Sequence, residues 1–297
     1  MRTPTVWHDV ESTLGEGPVW DAQRARLVWV DILAGVVRVG EAARDGIWVE
    51  REYRVPMHVG AAVPIADDDS WLLAAGLGFA YLDASGEVRV IAEPERDNPI
   101  AMRMNDGSCD PAGRFWAGSM GYGDEAGVGS LYRLDLDGSV HGVLDGITIS
   151  NGLGWSPDGT VMYVTDSGAD TITRYSFDVD TGEISDPRLF LRADRSRDGT
   201  PDGLTVDADG CVWVAFWGGS AVRRYSPKGT LLQTVPVPVS HPTSCCFGGP
   251  ALDVMFITSA GPKAVNTVGD GPHGRLLAHR PGVAGLPATP FRGSRWI

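Results

Sequence analysis

Cysteine is scarce in this sequence, and the shortage limits which classes of protein it can belong to. The chain has four cysteines in 297 residues, Cys109, Cys211, Cys245 and Cys246, and no C-x-x-C pair. Four scattered cysteines are too few for a disulfide framework in a chain this long, and the missing C-x-x-C pair excludes a zinc ribbon. We interpret the adjacent Cys245 and Cys246 as small buried residues and expect a reduced, cytoplasmic protein.

Positive charge and long apolar runs are also in short supply. Lysine and arginine number 25 against 38 aspartates and glutamates, so the formal net charge is -13. Such a surface repels phosphate backbones, and we expect no nucleic-acid partner.

The first ten residues contain no apolar core, and the longest apolar run has 11 residues, 72–82. A membrane span needs about 18, so the sequence predicts neither a secretory signal nor a membrane segment. Nothing in it indicates a protein partner.

No segment keeps a helical period of 3.6 residues over ten or more positions, which argues against an α/β barrel. The sequence is instead rich in turn residues, with 39 glycines and 20 prolines spread along its length. Short apolar runs separated by such residues are typical of an all-β protein.

One pattern recurs along the chain: a short apolar strand, a turn of the D-x-x-G type, and a strand rich in Trp, Val, Tyr or Phe. The six copies begin at 17, 60, 105, 151, 202 and 243, with spacings of 43, 45, 46, 51 and 41 residues. With the strands that follow, each unit has about four, which is the signature of a propeller blade. We predict an all-β fold, one six-bladed β-propeller domain over residues 1–297 with a central metal-binding channel.

Polar residues stand at the same phase in four of these repeats. The first strand of each blade lines the channel of a propeller, so its polar residues should converge near the axis. They are Glu16, Asn105, Asp106, Asn151 and Asp202. Their carboxylate and amide oxygens suit Ca²⁺, Mg²⁺ or Mn²⁺ and do not exclude zinc. Asp-Gly and Asn-Gly are also ordinary turn pairs, but an unpaired carboxylate inside a channel is costly, so the recurrence predicts a metal site.

Five motifs keep their order along nearly the whole chain. They are LGEGPVWD (14–21), RMNDGSCDPAGRFWAGSM (103–120), ISNGLGWSPDGTVMYVTDS (149–167), PDGLTVDADGCVWVA (201–215) and PTSCCFGG (242–249). In these motifs the sequence resembles the regucalcin–gluconolactonase family, to which senescence marker protein and luciferin-regenerating enzyme are related.

The resemblance implies a six-bladed propeller with one divalent cation held by Glu16, Asn151 and Asp202. It also implies sugar-lactone contacts from Arg103 and Asn105. The activity it implies is a metal-dependent lactonase for an aldono-1,4- or 1,5-lactone, similar to gluconolactone or a pentonolactone. The cation, which is Ca²⁺, Zn²⁺, Mn²⁺, Mg²⁺ or Fe(II), would polarise the carbonyl, and Asp202 would be the general base. The sequence has no G-x-S-x-G elbow, which agrees with a reaction that needs no covalent nucleophile.

Four further residues keep two interpretations each. Asp106 either orients Asn105 or contacts substrate, or it caps its own turn. His58 and Tyr122 either reach the channel mouth or are packing residues. Trp217 either forms an apolar wall for a sugar or belongs to the core.

The chain departs from the family after the GSM segment at 118–120. Animal members carry a substrate-contacting glutamate shortly after it, whereas Gly121 and Tyr122 are the nearest residues here. The substrate preference therefore does not carry over. Two other functions stay open: a non-catalytic calcium-binding regulatory protein, and a metal-dependent hydrolase of other esters such as organophosphates.

Overall fold

A computed structural model describes residues 3–43, 46–265 and 271–293 of the chain. Its first strand is β1 (Thr5–His8). The strands that follow form four-stranded antiparallel sheets in chain order, each of which is one blade. Blade 1 contains β2 (Gly15–Asp21), β3 (Arg26–Asp31), β4 (Val36–Ala43) and β5 (Gly46–Arg54). Blade 2 contains β6 (Val59–Pro64), β7 (Trp71–Ala75), β8 (Gly78–Leu82) and β9 (Val88–Ala92).

The middle blades repeat this order. Blade 3 contains β10 (Met102–Cys109), β11 (Phe115–Gly121), β12 (Gly129–Leu134) and β13 (Val140–Ile147). Blade 4 contains β14 (Ser150–Trp155), β15 (Val161–Asp166), β16 (Thr171–Phe177) and β17 (Ile184–Arg192). After a four-residue helix, α1 (Arg195–Asp198), blade 5 contains β18 (Thr200–Val206), β19 (Val212–Trp217), β20 (Ala221–Tyr225) and β21 (Leu231–Pro236).

Blade 6 closes the ring with strands from both ends of the described chain. It contains β22 (Pro242–Gly248), β23 (Val254–Ser259) and β24 (Leu276–His279), with α2 (Pro262–Val265) in the connection. Its outermost strand is β1, which pairs antiparallel with β24. This pairing ties the last blade to the start of the chain. The side chain of Val6 in β1 also packs against the core between blades 5 and 6.

Apolar packing between the blades holds the ring together. The buried apolar residues form six clusters, and each cluster fills the interface between two neighbouring blades. Between blades 3 and 4, for example, Trp116, Trp155 and Phe177 meet edge to face with centroids 5.9 to 6.2 Å apart. These geometries are the ones that aromatic pairs prefer.

The D-x-x-G turns form as the sequence predicts, and their first aspartates are buried. Asp110 accepts backbone hydrogen bonds across its turn at 2.9 to 3.0 Å and also accepts from the indole of Trp116 at 3.0 Å. Asp207 does the same with the indole of Trp213 at 2.9 Å. Gly113 closes the first of these turns with a φ of 93°, a left-handed conformation that glycine adopts readily.

The predicted fold class is confirmed: the protein is all-β and forms a six-bladed propeller. The six repeats fall on the six inner strands, whose first residues are Gly15, Val59, Met102, Ser150, Thr200 and Pro242. In the described part of the chain, no helix has the length and apolar character needed to cross a bilayer. That residues 1–297 form one domain stays a prediction.

Candidate active site and metal centre

The inner strands β2, β6, β10, β14, β18 and β22 share an irregularity close to their N-terminal ends. In each, the pairing with the second strand shifts register by a bulge. A bulge bends the strand and turns a side chain away from the regular alternation. The bulges contain or border Glu16, Asn105, Asn151 and Asp202, so the same local distortion presents polar side chains from four blades to the axis. We call this end of the channel the upper mouth.

After Asn151 and Asp202, the following glycine is required by close packing of the inner strands. A Cβ on Gly152 would overlap the backbone nitrogen of Leu204, and a Cβ on Gly203 would overlap the side chain of Ser244. The Asn-Gly and Asp-Gly pairs therefore lie within strands and are not turn dipeptides, which was their alternative interpretation. Asp106 in particular lies in β10 and accepts from the N–H of Gly107 at 2.7 Å without forming a turn there.

Three carboxyl groups are buried together at this place. Glu16, Asp106 and Asp202 are exposed by only 5%, 8% and 5%. Burial, followed by the charges of Asp202 and Asp106, holds the pKa of Glu16 well above its usual range. Burial and the charge of Asp106 do the same to the pKa of Asp202, against hydrogen bonds from Asn151 and Gly203. Burial raises the pKa of Asp106 to about 7. The site thus concentrates negative charge that the protein only partly neutralises.

Two oxygens of the predicted ligand set have no hydrogen-bond partner among the described residues. They are the Oδ1 atoms of Asn151 and Asp202, both buried. The Nδ2 atom of Asn151 donates to Ser167 Oγ at 3.0 Å, which orients the amide and leaves its oxygen free. Buried oxygens without partners beside repelling carboxylates fit a divalent cation, which prefers such ligands.

The predicted centre is a mixed one, with two carboxylates and the amide oxygen of Asn151. In residues 3–43, 46–265 and 271–293, no three His, Cys, Asp or Glu side chains are arranged to hold a metal on their own. That Glu16, Asn151 and Asp202 bind a metal stays a prediction.

Arg103 and Asn105, the predicted substrate contacts, lie side by side in β10. Arg103 Nη1 donates to Asn105 Oδ1 at 2.7 Å, and Asn105 Nδ2 donates to the carbonyl of Ser150 at 2.8 Å. Burial lowers the pKa of Arg103, while the charges of Glu16 and Asp202 oppose that change. The guanidinium is therefore within electrostatic reach of the acidic cluster.

The other candidate residues also lie at the upper mouth. His58 precedes β6 and Tyr122 follows β11, and the Tyr122 hydroxyl is 2.8 Å from His58 Nδ1. Trp217 ends β19 and meets the ring of His241 edge to face, with centroids 4.7 Å apart. Neither pairing is visible in the sequence, since the partners are far apart in the chain and belong to different blades.

The opposite end of the channel is wide and partly covered. A cavity of about 390 Å³ extends along the axis from that end to Gly17 and Asp106, and Trp20 and Trp155 are among its lining residues. Residues 286–289 also line it, and Phe291 pairs with Ile65 of blade 2 nearby. No sequence signal identified the terminal segment as a cover.

Comparison with known proteins supports the resemblance. Residues 14–261 match the model of the SMP-30/Gluconolactonase/LRE-like region. A pentonolactonase of Haloferax volcanii is 37% identical over 89% of this chain and 87% of its own. The regucalcin of Gallus gallus is 35% identical over 94% of this chain and 95% of its own. A solved structure described as a calcium-binding protein, regucalcin, from Agrobacterium tumefaciens has a TM-score of 0.88 and 30% identity, and covers 98% of this chain and 97% of its own.

Proposed function

Because this chain belongs to the SMP-30/gluconolactonase/LRE-like family, we propose that it is a lactonase that opens an aldono-1,4- or 1,5-lactone by adding water. The observation that carries the proposal is the buried acidic cluster with two unpartnered oxygens, next to Arg103 and Asn105. Burying such a cluster is costly unless a cation neutralises it, and buried groups with strongly shifted pKa values are typical of active sites.

The proposed metal ligands are Glu16, Asn151 and Asp202. A divalent cation bound there would polarise the lactone carbonyl and stabilise negative charge on its oxygen. All three ligands are oxygen donors, so Ca²⁺, Mg²⁺, Mn²⁺, Zn²⁺ and Fe(II) are all candidates. The calcium-binding regucalcin relative makes Ca²⁺ the first to test.

The side chains of this protein account for the remaining steps. Asp202 accepts a proton from the attacking water as the new C–O bond forms. The ring C–O bond then breaks, and the ring oxygen takes that proton to become the hydroxyl of the aldonic acid. Arg103 and Asn105 hold the sugar hydroxyls and orient the ring. The leaving oxygen stays tethered to the product, so no covalent nucleophile is needed.

The test is to follow acid release from glucono-1,5-, xylono-1,4- and galactono-1,4-lactone with a pH indicator, corrected for spontaneous hydrolysis. We expect turnover that a chelator abolishes and that one or more added cations restore. If no lactone opens faster than background with any of the five cations, the enzymatic proposal is wrong. Metal binding by calorimetry without turnover would favour a calcium-binding protein, and turnover of a phosphotriester alone would favour another ester hydrolase.

A further inference from the structure

Tyr122 and His58 form a polar pair at the rim of the upper mouth. The Tyr122 hydroxyl lies 2.8 Å from His58 Nδ1, and the ring centroids are 5.5 Å apart. The pair joins blade 2 to blade 3, yet Tyr122 is 52% exposed. About half of Tyr122 is therefore accessible to a molecule that enters the mouth.

The pair lies next to the residues proposed to bind the lactone ring. In the pairing of β10 with β11, Arg103 lies opposite Met120, two residues before Tyr122, and after burial it is the charge of Arg103 that lowers the pKa of His58, so the three groups are close together. Arg103 also hydrogen-bonds Asn105. A line of polar groups therefore runs from the acidic cluster through Asn105 and Arg103 to Tyr122 and His58.

The pair can donate one hydrogen bond and accept another. Burial and the nearby Arg103 lower the pKa of His58, so its ring is neutral at neutral pH. If the Tyr122 hydroxyl donates to Nδ1, the ring proton is on Nε2, which makes no hydrogen bond in the described part of the chain. The Tyr122 oxygen can then accept a hydrogen bond from an alcohol. His58 Nε2 points away from it across the imidazole ring, so His58 acts by fixing the direction of the Tyr122 hydroxyl.

We propose that the Tyr122 oxygen, oriented by His58, accepts a hydrogen bond from the exocyclic hydroxyl of a sugar lactone whose ring lies on Arg103 and Asn105. This inference rests on the proposed function and specifies its substrate class as lactones that carry a hydroxymethyl group or a longer hydroxylated chain outside the ring.

The experiment compares two lactones that differ only outside the ring. Xylono-1,4-lactone carries a hydroxymethyl group, whereas threono-1,4-lactone has the same ring and ring hydroxyls without it. For Tyr122→Phe we expect KM for xylono-1,4-lactone to rise about three- to tenfold, the value of one hydrogen bond, with little change in kcat. KM for threono-1,4-lactone should not change. Tyr175→Phe, in β16 of blade 4, is the matched control and should affect neither substrate.

A double-substitution cycle tests whether the two residues act together. If His58 orients the Tyr122 hydroxyl, His58→Leu combined with Tyr122→Phe should raise KM for xylono-1,4-lactone by less than the product of the single effects. An unchanged KM in Tyr122→Phe, or an equal change for both lactones, overturns the inference while leaving the lactonase proposal intact. Failure of the wild-type protein to open any of the lactones named here, with any of the five cations, would overturn the proposed function itself. Melting temperatures of the variants separate binding effects from loss of folding.

Discussion

Asp202 is the residue in which the proposed metal ligand and the proposed base coincide. It is buried, its Oδ1 has no partner among the described residues, and its neighbours raise its pKa. Asp202→Asn keeps the size of the side chain but removes its charge and its ability to accept a proton. We expect kcat for a sugar lactone to fall by about 10²- to 10⁴-fold, the usual contribution of a general base. Initial rates at saturating cation concentration measure this.

Asp180→Asn is the matched control for this prediction. Asp180 is exposed in a turn of blade 4, and its side chain makes no hydrogen bond in the part of the chain that the structure describes. The lactonase activity of the Asp180→Asn variant should equal that of the wild type. An Asp202→Asn protein that keeps more than about a tenth of the wild-type kcat would contradict the assigned base.

Asp106 makes the stability of the metal-free protein depend on pH. Its pKa is raised to about 7 in the folded state, compared with about 4 in an unfolded chain. The folded protein therefore retains a proton that the unfolded chain has released, and the stabilisation that this proton provides is lost as the pH rises from about 4 to about 7. Glu16 and Asp202, whose pKa values are also raised, act in the same direction.

We therefore expect the melting temperature of the chelated protein to fall between pH 5 and pH 8. In Asp106→Asn the new side chain can still accept a hydrogen bond from the Gly107 N–H. The melting temperature of this variant should fall less between pH 5 and pH 8 than that of the wild type, and at pH 8 it should be higher than that of the wild type by about 2 °C or more. Thermal unfolding followed by circular dichroism measures both. Identical pH dependence in the two proteins would show that Asp106 is not protonated near neutrality.

At the scale of the single strand, the bulge and the glycine within it determine where the polar side chains of the site lie. In β14 the bulge spans Ser150 to Leu153, and Gly152 lies against the backbone of β18, which carries Asp202. Gly152→Ala would push these inner strands apart, because the new methyl group meets rigid backbone and not a flexible side chain. We expect the variant to lose both stability, by about 2 kcal/mol or more, and lactonase activity.

Gly142→Ala tests whether this effect is specific. Gly142 lies in β13, and a Cβ there would come no closer than 3.8 Å to its neighbours, at Tyr132. Alanine should be tolerated or slightly stabilising at this position, since it reduces the entropy of the unfolded chain. Equal losses in the two variants, measured by thermal unfolding and by initial rate, would refute the role given to close packing in the channel.

The sequence predicted the inner strands well because each repeat ends its first strand in a recognisable turn. It could not predict why glycine follows Asn151 and Asp202, since the reason is the approach of a neighbouring inner strand about forty to fifty residues away in the chain. The outer strand of blade 6 was also missed. The six repeats leave that blade one strand short. The segment TVWH at 5–8, which forms β1, could have been predicted as the missing strand from its alternating pattern.

At the scale of the whole molecule, the ring brings together residues that the chain keeps apart. Repeat phase indicated Glu16, Asn105, Asp106, Asn151 and Asp202, because equivalent positions of a propeller converge on its axis, and the family resemblance then implied Glu16, Asn151 and Asp202 as the ligands. The pairing of Tyr122 with His58 could not be predicted in this way. The two residues lie 64 positions apart in different phases of their repeats, and only the packing of blade 2 against blade 3 makes them neighbours.

The same convergence means that a bound cation should stabilise the entire ring. Its proposed ligands come from blades 1, 4 and 5, and binding would relieve the repulsion among the buried carboxylates. A cation that binds only the folded state adds about 2.7 kcal/mol to the free energy of unfolding at a concentration 100 times its Kd. We therefore expect the melting temperature to rise with added Ca²⁺ or another activating cation. The rise should be larger at pH 8 than at pH 5, because protons compete for the carboxylates at low pH.

Glu16→Gln should remove most of this stabilisation, while Glu41→Gln, at an exposed position of β4, should keep it. Glu16→Gln should also be more stable than the wild type in the presence of chelator at pH 8, since one of three repelling charges is gone. This opposite sign with and without cation distinguishes a metal ligand from a residue that only supports the fold, whose loss would lower the melting temperature in both conditions. A cation-induced shift of equal size in both variants would exclude Glu16 from the metal centre.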